Sequence, residues 1–289
     1  MTAEIMYGKE LAGVIKNRLK LDVERLISEG KRPPGLATIL VGNNPASKLY
    51  VRKKQEACEE VGFYGVEKIL PANTTQTELH EIIEELNRDE RVDGILIQLP
   101  LPTHLNTKAA MEVITPAKDV DGFHPLNMGK LMGGEEKIVA CTPRGIITLL
   151  EHYGITFEGK NVVIINHSTV IGKPLAMLFL NRNATVTICH IHTRNLSFHT
   201  STADILITAT GVPKLISAEM IKDGVVVVDA GIARVENKIV GDVDFEEVKK
   251  KASFITPVPG GVGPMTIATL LENTFKLYKL RNEEKISFQ

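Results

Sequence analysis

The chain has 289 residues, enough for about two domains at the usual ~150 residues each. Hydrophobic residues make up 43% and charged residues 24%, which excludes a disordered or collagen-like chain and permits a core that needs no disulfide or metal. Lys+Arg number 34 against 35 Asp+Glu, and that balance argues against a nucleic-acid or membrane-surface binder.

Leu11, Ile15, Leu19, Val23 and Leu26 share one face of a first helix, ended by Gly30 and Pro33-Pro34. Leu36–Val41 reads as a buried strand, and Gly42-Asn-Asn-Pro45 turns into a helix over about 46–61. Val66–Leu70 is a strand, and Thr75 with Glu78 forms a capping box for a helix over about 76–88. Gly94–Gln98 is the next buried strand, stopped by Pro100 and Pro102. Beyond a Gly/Pro-rich stretch around 115–145, Asn161–Ile165 is a strand leading through a turn to a helix over about 172–182. Ala184–Ile188, Ile205–Thr208 and Val225–Asp229 are strands, and a last helix covers about 264–281. This alternation predicts an α/β fold with a mostly parallel sheet, its second half Rossmann-like.

No apolar run reaches the ~18 residues of a membrane span. The N-terminus, with Glu4, Lys9, Glu10 and Lys16, lacks the apolar core of a signal peptide. Cys58, Cys141 and Cys189 are odd in number and far apart, as in a reduced, cytoplasmic protein.

Ligands of open parallel sheets collect at the carboxyl ends of strands. Tyr50 and Lys54 share a helix face after the first strand, Gln98 closes an apolar strand, and Asp121 lies in the loop Lys118-Asp-Val-Asp-Gly-Phe123. Each has a plainer reading: Lys54 as a solvated lysine beside Arg52 and Lys53, Gln98 as a structural hydrogen-bonder, Asp121 as a turn residue. The turn Asn166-His-Ser-Thr-Val-Ile-Gly172-Lys-Pro174 fails the G-x-G-x-x-G pattern, although Ser168, Gly172 and the helix start remain usable for a phosphate. Cys189-His-Ile-His-Thr-Arg194 offers no acid to hold an NAD ribose, and its Cys/His spacing does not match a zinc site, so no metal is expected. No G-x-S-x-G elbow supports a serine hydrolase. Pro257-Val-Pro-Gly-Gly-Val-Gly-Pro264 suits close backbone approach to a flat ligand, or a rigid interdomain connection.

Taken together, Ser47-x-x-Tyr50-x-x-x-Lys54, Gln98-Leu-Pro-Leu-Pro102, Lys118-Asp-Val-Asp-Gly122, Cys141-Thr-Pro-Arg-Gly145, Thr210-Gly-Val-Pro213, Gly241-Asp-Val243 and Pro257–Thr266 resemble the FolD-type bifunctional methylenetetrahydrofolate dehydrogenase/methenyltetrahydrofolate cyclohydrolase family over nearly the whole chain. The resemblance implies two lobes around a cleft: a folate-binding catalytic domain at 1–122, on which a C-terminal helix at 264–289 packs back, and a Rossmann-like NAD(P)-binding domain at 123–263. It implies that Lys54 moves protons for hydrolysis, Tyr50 orients the folate, Gln98 tunes Lys54 and Asp121 holds the pterin edge. Leu99, Pro100, Pro259, Gly260, Gly261, Val262 and Gly263 would line the folate pocket. Asn166, His167, Ser168, Gly172, Ile191, Thr210, Gly211 and Ile232 would bind the cofactor.

The family's usual turn is Gly-Arg-Ser-x-x-Val-Gly-x-Pro, and here Asn166 and His167 replace the Gly and Arg, with Ile191 at a position where NADP-dependent members carry Ser. Asn166 is expected to keep the turn by tolerating a left-handed backbone. The cofactor is accordingly expected to be NADP, used weakly or pH-dependently, with NAD possible in its place. The alternative reading is a cyclohydrolase with a weakened dehydrogenase site. The partners implied are tetrahydrofolate derivatives, NAD(P) and a second copy of the chain, with no nucleic acid and no membrane.

Overall fold

The computed structural model describes residues 2–236 and 238–287, with side chains as far as residue 282. It opens with β1 (Glu4–Ile5) and α1 (Gly8–Ser28), then β2 (Gly35–Val41), α2 (Pro45–Val61), β3 (Tyr64–Leu70), α3 (Gln76–Arg88) and β4 (Gly94–Ile97). The helices α4 (Thr107–Val113), α5 (Pro125–Met132) and α6 (Cys141–His152) follow. A second alternation runs through β5 (Asn161–Ile165), α7 (Gly172–Leu180), β6 (Thr185–Cys189), α8 (Leu196–Thr200), β7 (Ile205–Thr208) and β8 (Val226–Asp229). The chain ends with a hairpin of β9 (Ala233–Val235) and β10 (Lys238–Val240), then α9 (Phe245–Val248), β11 (Phe254–Ile255) and α10 (Val262–Ser287).

The chain divides into two compact units. One contains Val14–Lys130, Glu136–Val139 and the chain from Ile267 onward. Its sheet is parallel, in the order β3-β2-β4. All seven residues of β2 are buried, as a central parallel strand requires, whereas β3 alternates in exposure at the edge. Leu79, Ile83 and Leu86 of α3 pack on Ala37, Ile39, Ile95 and Ile97. From α10, buried Asn273 donates to the carbonyls of Val120 (2.9 Å) and Val139 (3.0 Å). Fully buried Asp93 accepts from Arg281 (2.8 Å), from both guanidinium nitrogens of Arg32 (2.7 and 2.8 Å) and from Gly35 N (2.9 Å). Residues 288 and 289 of the expected C-terminal helix lie outside the described residues.

The other unit contains the chain up to Gly13, Leu131–Glu135 and Ala140–Thr266. Its six-stranded sheet is parallel throughout, in the order β1-β11-β8-β7-β5-β6. The amino-terminal residues join this sheet because β1 pairs with β11 in register Glu4–Phe254 and Ile5–Ile255. Several boundaries differ from expectation by a residue or more: β4 stops at Ile97, leaving Gln98 just beyond it, and β6 is shifted by one to start at Thr185 and include Cys189.

Candidate active site

The β2–α2 connection sets the first group of residues. Gly42 turns the chain with φ 88°, and the Asn44 side chain caps α2 by accepting from the backbone N–H groups of Ala46 (2.9 Å) and Ser47 (3.1 Å). Tyr50 and Lys54 then stand one turn apart near the start of this helix, both half-buried, whereas Arg52 and Lys53 between them are exposed. Arg52 is turned to Glu56 at 2.8 Å. Burial pushes the Tyr50 phenol up, so it stays a neutral O–H at ordinary pH.

Gln98 sits directly after β4, and its backbone N–H still donates to Ile39 O at 2.8 Å, which locks its height against β2. Its amide Nε2 donates to Leu99 O (2.7 Å), and its Oε1 accepts from Lys54 Nζ at 3.0 Å. The second bond fixes which way the amide faces: Lys54 meets an acceptor. Leu99–Pro100 is a cis peptide.

Asp121 is delivered by a segment running parallel beside β4, through a bridge between Ile95 and Asp119 and a bond from Ile95 N to Lys118 O of 2.7 Å. Asp119 itself is structural. Its buried carboxyl, pushed up by desolvation, accepts from Phe123 N (3.1 Å), His124 N (2.8 Å) and Asn127 Nδ2 (2.8 Å). Gly122, at φ 69°, turns the chain directly after Asp121. Cys58, farther along α2, is pushed up to about 12 by burial and carries no thiolate at ordinary pH.

In the other unit the turn after β5 is built differently from the expectation. Asn166 does not adopt a left-handed backbone; the positive-φ residues other than glycine are Asn183, Asn195, Lys214 and Glu236 among the described residues. Its side chain does the work instead, Oδ1 accepting from Ser168 N (2.8 Å), Ser168 Oγ (2.7 Å) and Gly172 N (3.0 Å). Asn166 Nδ2 donates to Ala209 O at 2.7 Å and so ties the turn to the end of β7. A Cβ on Gly172 would lie 1.9 Å from Asn166 O, so only glycine fits the start of α7.

Two buried carboxylates organise the neighbouring loops. Asp242 Oδ2 accepts from Thr208 Oγ1 and Thr210 N, each at 2.6 Å. Asp229 accepts from Gly231 N (2.9 Å), Asp242 N (3.1 Å) and Val243 N (2.9 Å), and burial raises its carboxyl to about 6. These bonds set Thr210, Gly211 (φ 74°) and half-exposed Ile232 at the carboxyl ends of β7 and β8. Asp229 and Asp242 are positioning residues that the sequence reading missed; a carboxylate ending the apolar run Val225–Asp229 was the available signal. Ile191 is 88% exposed. The loop carrying Pro259–Gly263 follows β11 in this unit, with a cis Val258–Pro259 peptide, Gly260 at φ 111° and Lys9 N donating to Gly260 O at 3.0 Å.

The turn at 166–172 and the strand ends beside it fit a dinucleotide. Parallel strands present their carboxyl ends there, Gly172 lets the helix start close on the turn, and no carboxylate stands at the end of β6.

Residues 6–121 match the family pattern described as "Tetrahydrofolate dehydrogenase/cyclohydrolase, catalytic domain", and residues 140–282 its "NAD(P)-binding domain". The chain belongs to the tetrahydrofolate dehydrogenase/cyclohydrolase family. A family relative, the bifunctional protein FolD of Sulfurihydrogenibium sp. (strain YO3AOP1), is 56% identical over 95% of this chain and 97% of its own. The crystal structure of the Campylobacter jejuni bifunctional enzyme FolD is 52% identical, with a TM-score of 0.95 over 96% of this chain and 99% of that one. The Trypanosoma brucei family member, solved with NADP and an inhibitor, is 38% identical with a TM-score of 0.95 over 97% and 99%. Among the described residues no helix is long and apolar enough to cross a membrane.

Proposed function

We infer that the chain oxidises 5,10-methylenetetrahydrofolate to the 5,10-methenyl form with NAD(P)+ and hydrolyses that form to 10-formyltetrahydrofolate. The observation that carries this reading is the 3.0 Å bond between Lys54 and Gln98 at the carboxyl ends of β2 and β4, in a chain matching both domains of the family. The bound nicotinamide supplies the hydride acceptor. The nitrogens flanking the methylene carbon push the hydride out, so the protein's part in oxidation is orientation rather than a strong base.

Hydrolysis makes the larger demand on the protein. Water adding to the methenyl carbon must lose a proton, and the departing nitrogen must gain one. Lys54 serves that transfer, with Gln98 Oε1 holding Nζ in place and Tyr50 bearing on the folate from the same helix face. Asp121 takes the pterin edge. Leu99 and Pro100 wall the folate. Asn166, His167, Ser168, Gly172, Ile191, Thr210, Gly211 and Ile232 hold the dinucleotide, with NADP as the preferred form.

The same reading assigns catalysis to 1–122 with the C-terminal helix, and cofactor binding to 123–263. It places the protein in the cytoplasm, a reading its reduced, buried cysteines support. It also makes the protein a homodimer through the nucleotide-binding unit, where β6 lies at the sheet edge. The test is a spectrophotometric assay with 5,10-methylenetetrahydrofolate and NADP or NAD, following methenyl hydrolysis in parallel. Both activities are expected. Hydrolysis without reduction of either cofactor would make the chain a cyclohydrolase alone, and neither activity would sink the reading.

A further inference from the structure

From residue 159 to residue 203 the chain contains no aspartate or glutamate, while that span holds Lys160, Lys173, Arg182, Arg194 and His167, His190, His192 and His199. Three of the imidazoles converge at the carboxyl ends of β5 and β6. The His167 and His190 rings lie 5.0 Å apart and the His190 and His192 rings 5.9 Å apart, and all three residues are exposed. The turn beneath them is closed by His190 N donating to Thr193 Oγ1 and Thr193 N donating to His190 O, each at 2.8 Å. His192 N donates to His190 Nδ1 at 3.2 Å, so Nε2 carries the proton of the neutral ring, and charging the ring at Nδ1 gives up this bond.

In a parallel dinucleotide fold the end of the second strand meets the adenosine ribose, where an acid takes the 2′-hydroxyl of NAD and a cation the 2′-phosphate of NADP. Here that strand end is β6, and it offers imidazoles. We propose that His167, His190 and His192 form the subsite for the 2′-phosphate of NADP, so that preference for NADP over NAD weakens as pH rises. The proposal rests on the dinucleotide-binding reading above.

The other charged or titratable groups on the surrounding elements are Lys173 on α7, Arg194 after β6 and His199 on α8, with the buried Cys189 thiol raised by desolvation. At the end of β8 Asp229 is turned to backbone N–H groups, and in the loop after β10 Asp242 is turned to Thr208 and Thr210. The sign of the pH effect separates the possible readers. A phosphate monoester gains its second charge above about pH 6, so a site read by lysine or arginine holds or tightens as pH rises. Imidazoles lose their charge above about 6.5, so a histidine site loosens over the same range.

The experiment is equilibrium binding of NADPH and NADH to the full chain at about pH 6.5 and about pH 8.5, on either side of the imidazole range. The expected result is a Kd for NADPH that rises about tenfold while that for NADH moves less than about twofold. The double variant His190→Ala/His192→Ala should lose about tenfold in NADPH affinity at the lower pH, with NADH binding unchanged as the control for folding. His167→Arg should flatten the pH dependence. NADPH affinity that holds or tightens with pH, or stays at the wild-type value in the double variant, overturns the proposal. Binding of neither dinucleotide overturns it together with the cofactor reading. Folate turnover is not measured, so pH-dependent NADPH binding in a chain without activity would sink the proposed reaction and leave the subsite standing.

Discussion

Lys54 and Gln98 show how much one hydrogen bond can decide. Because the amide is pinned through Leu99 O, its oxygen is held at Nζ, and a change at either partner has a defined sign. Lys54→Met removes the proton carrier. Methenyl hydrolysis should fall on the order of 10²–10⁴-fold, the usual contribution of a positioned acid–base group. Reduction of the dinucleotide, which needs no strong base, should fall much less; equal losses in the two assays would show that Lys54 only binds folate. Gln98→Glu replaces a neutral acceptor with a carboxylate 3.0 Å from the ammonium, which favours the charged form of Lys54. The pH profile of hydrolysis should therefore move to higher pH, and an unmoved profile would remove Gln98 from control of the lysine. Both residues were legible in the sequence, one by its i,i+4 partner and one as an amide ending an apolar strand. The role of Asn166 was not, because side-chain knotting and a left-handed backbone are different solutions to one turn, and only coordinates distinguish them.

At the level of elements, long periodic segments were legible and short or crowded ones were not. α1, α2, α3 and the buried strands follow from apolar spacing and capping residues. β1 escapes because two residues have no periodicity and gain their place only by pairing with β11. α6 begins Cys141-Thr-Pro-Arg-Gly145, which reads as a break; yet Gly145 is where the helix meets Met265, whose Cβ would stand 3.0 Å from a Cβ there. The stretch around 115–145 thus conceals α5 and most of the entry to the second unit behind residues chosen for close approach. Gly172 is the sharpest such constraint. Gly172→Ala forces a methyl to within 1.9 Å of the Asn166 carbonyl, so the turn must open. The expected cost is about 1–3 kcal/mol in urea unfolding, with weaker binding of NADPH and NADH alike. Wild-type values for both would show that the turn yields freely and that its hydrogen bonds do not shape the site.

Over the whole molecule, the two units carry buried ionisable groups that answer pH in opposite directions. In the nucleotide-binding unit, burial raises the Asp229 carboxyl from the ordinary carboxylate range to about 6. The folded unit binds more protons than the unfolded chain between about pH 4 and pH 6, so this group's stabilisation is present at the acid end and lost as pH rises through that window. Lys118, in the other unit, is 3% exposed and donates to Leu86 O (2.9 Å) and Asp89 O (2.7 Å) at the end of α3. Burial, helped by the nearby Arg281 charge, lowers its ammonium to about 8. Here the unfolded chain binds the extra proton between about pH 8 and pH 10.5, so stability rises with pH as the buried charge is relieved, by about 3 kcal/mol over the full window. A chain of two units need not unfold in one step, and the alkaline slope belongs to the unit that holds Lys118. Calorimetry between about pH 8 and pH 10 should show that unit's transition moving upward by several degrees relative to the same transition in Lys118→Met. Parallel slopes in the two proteins would mean that Lys118 keeps its charge in the fold, held by the two carbonyls and by Asp93 and Asp89 against the cost of burial.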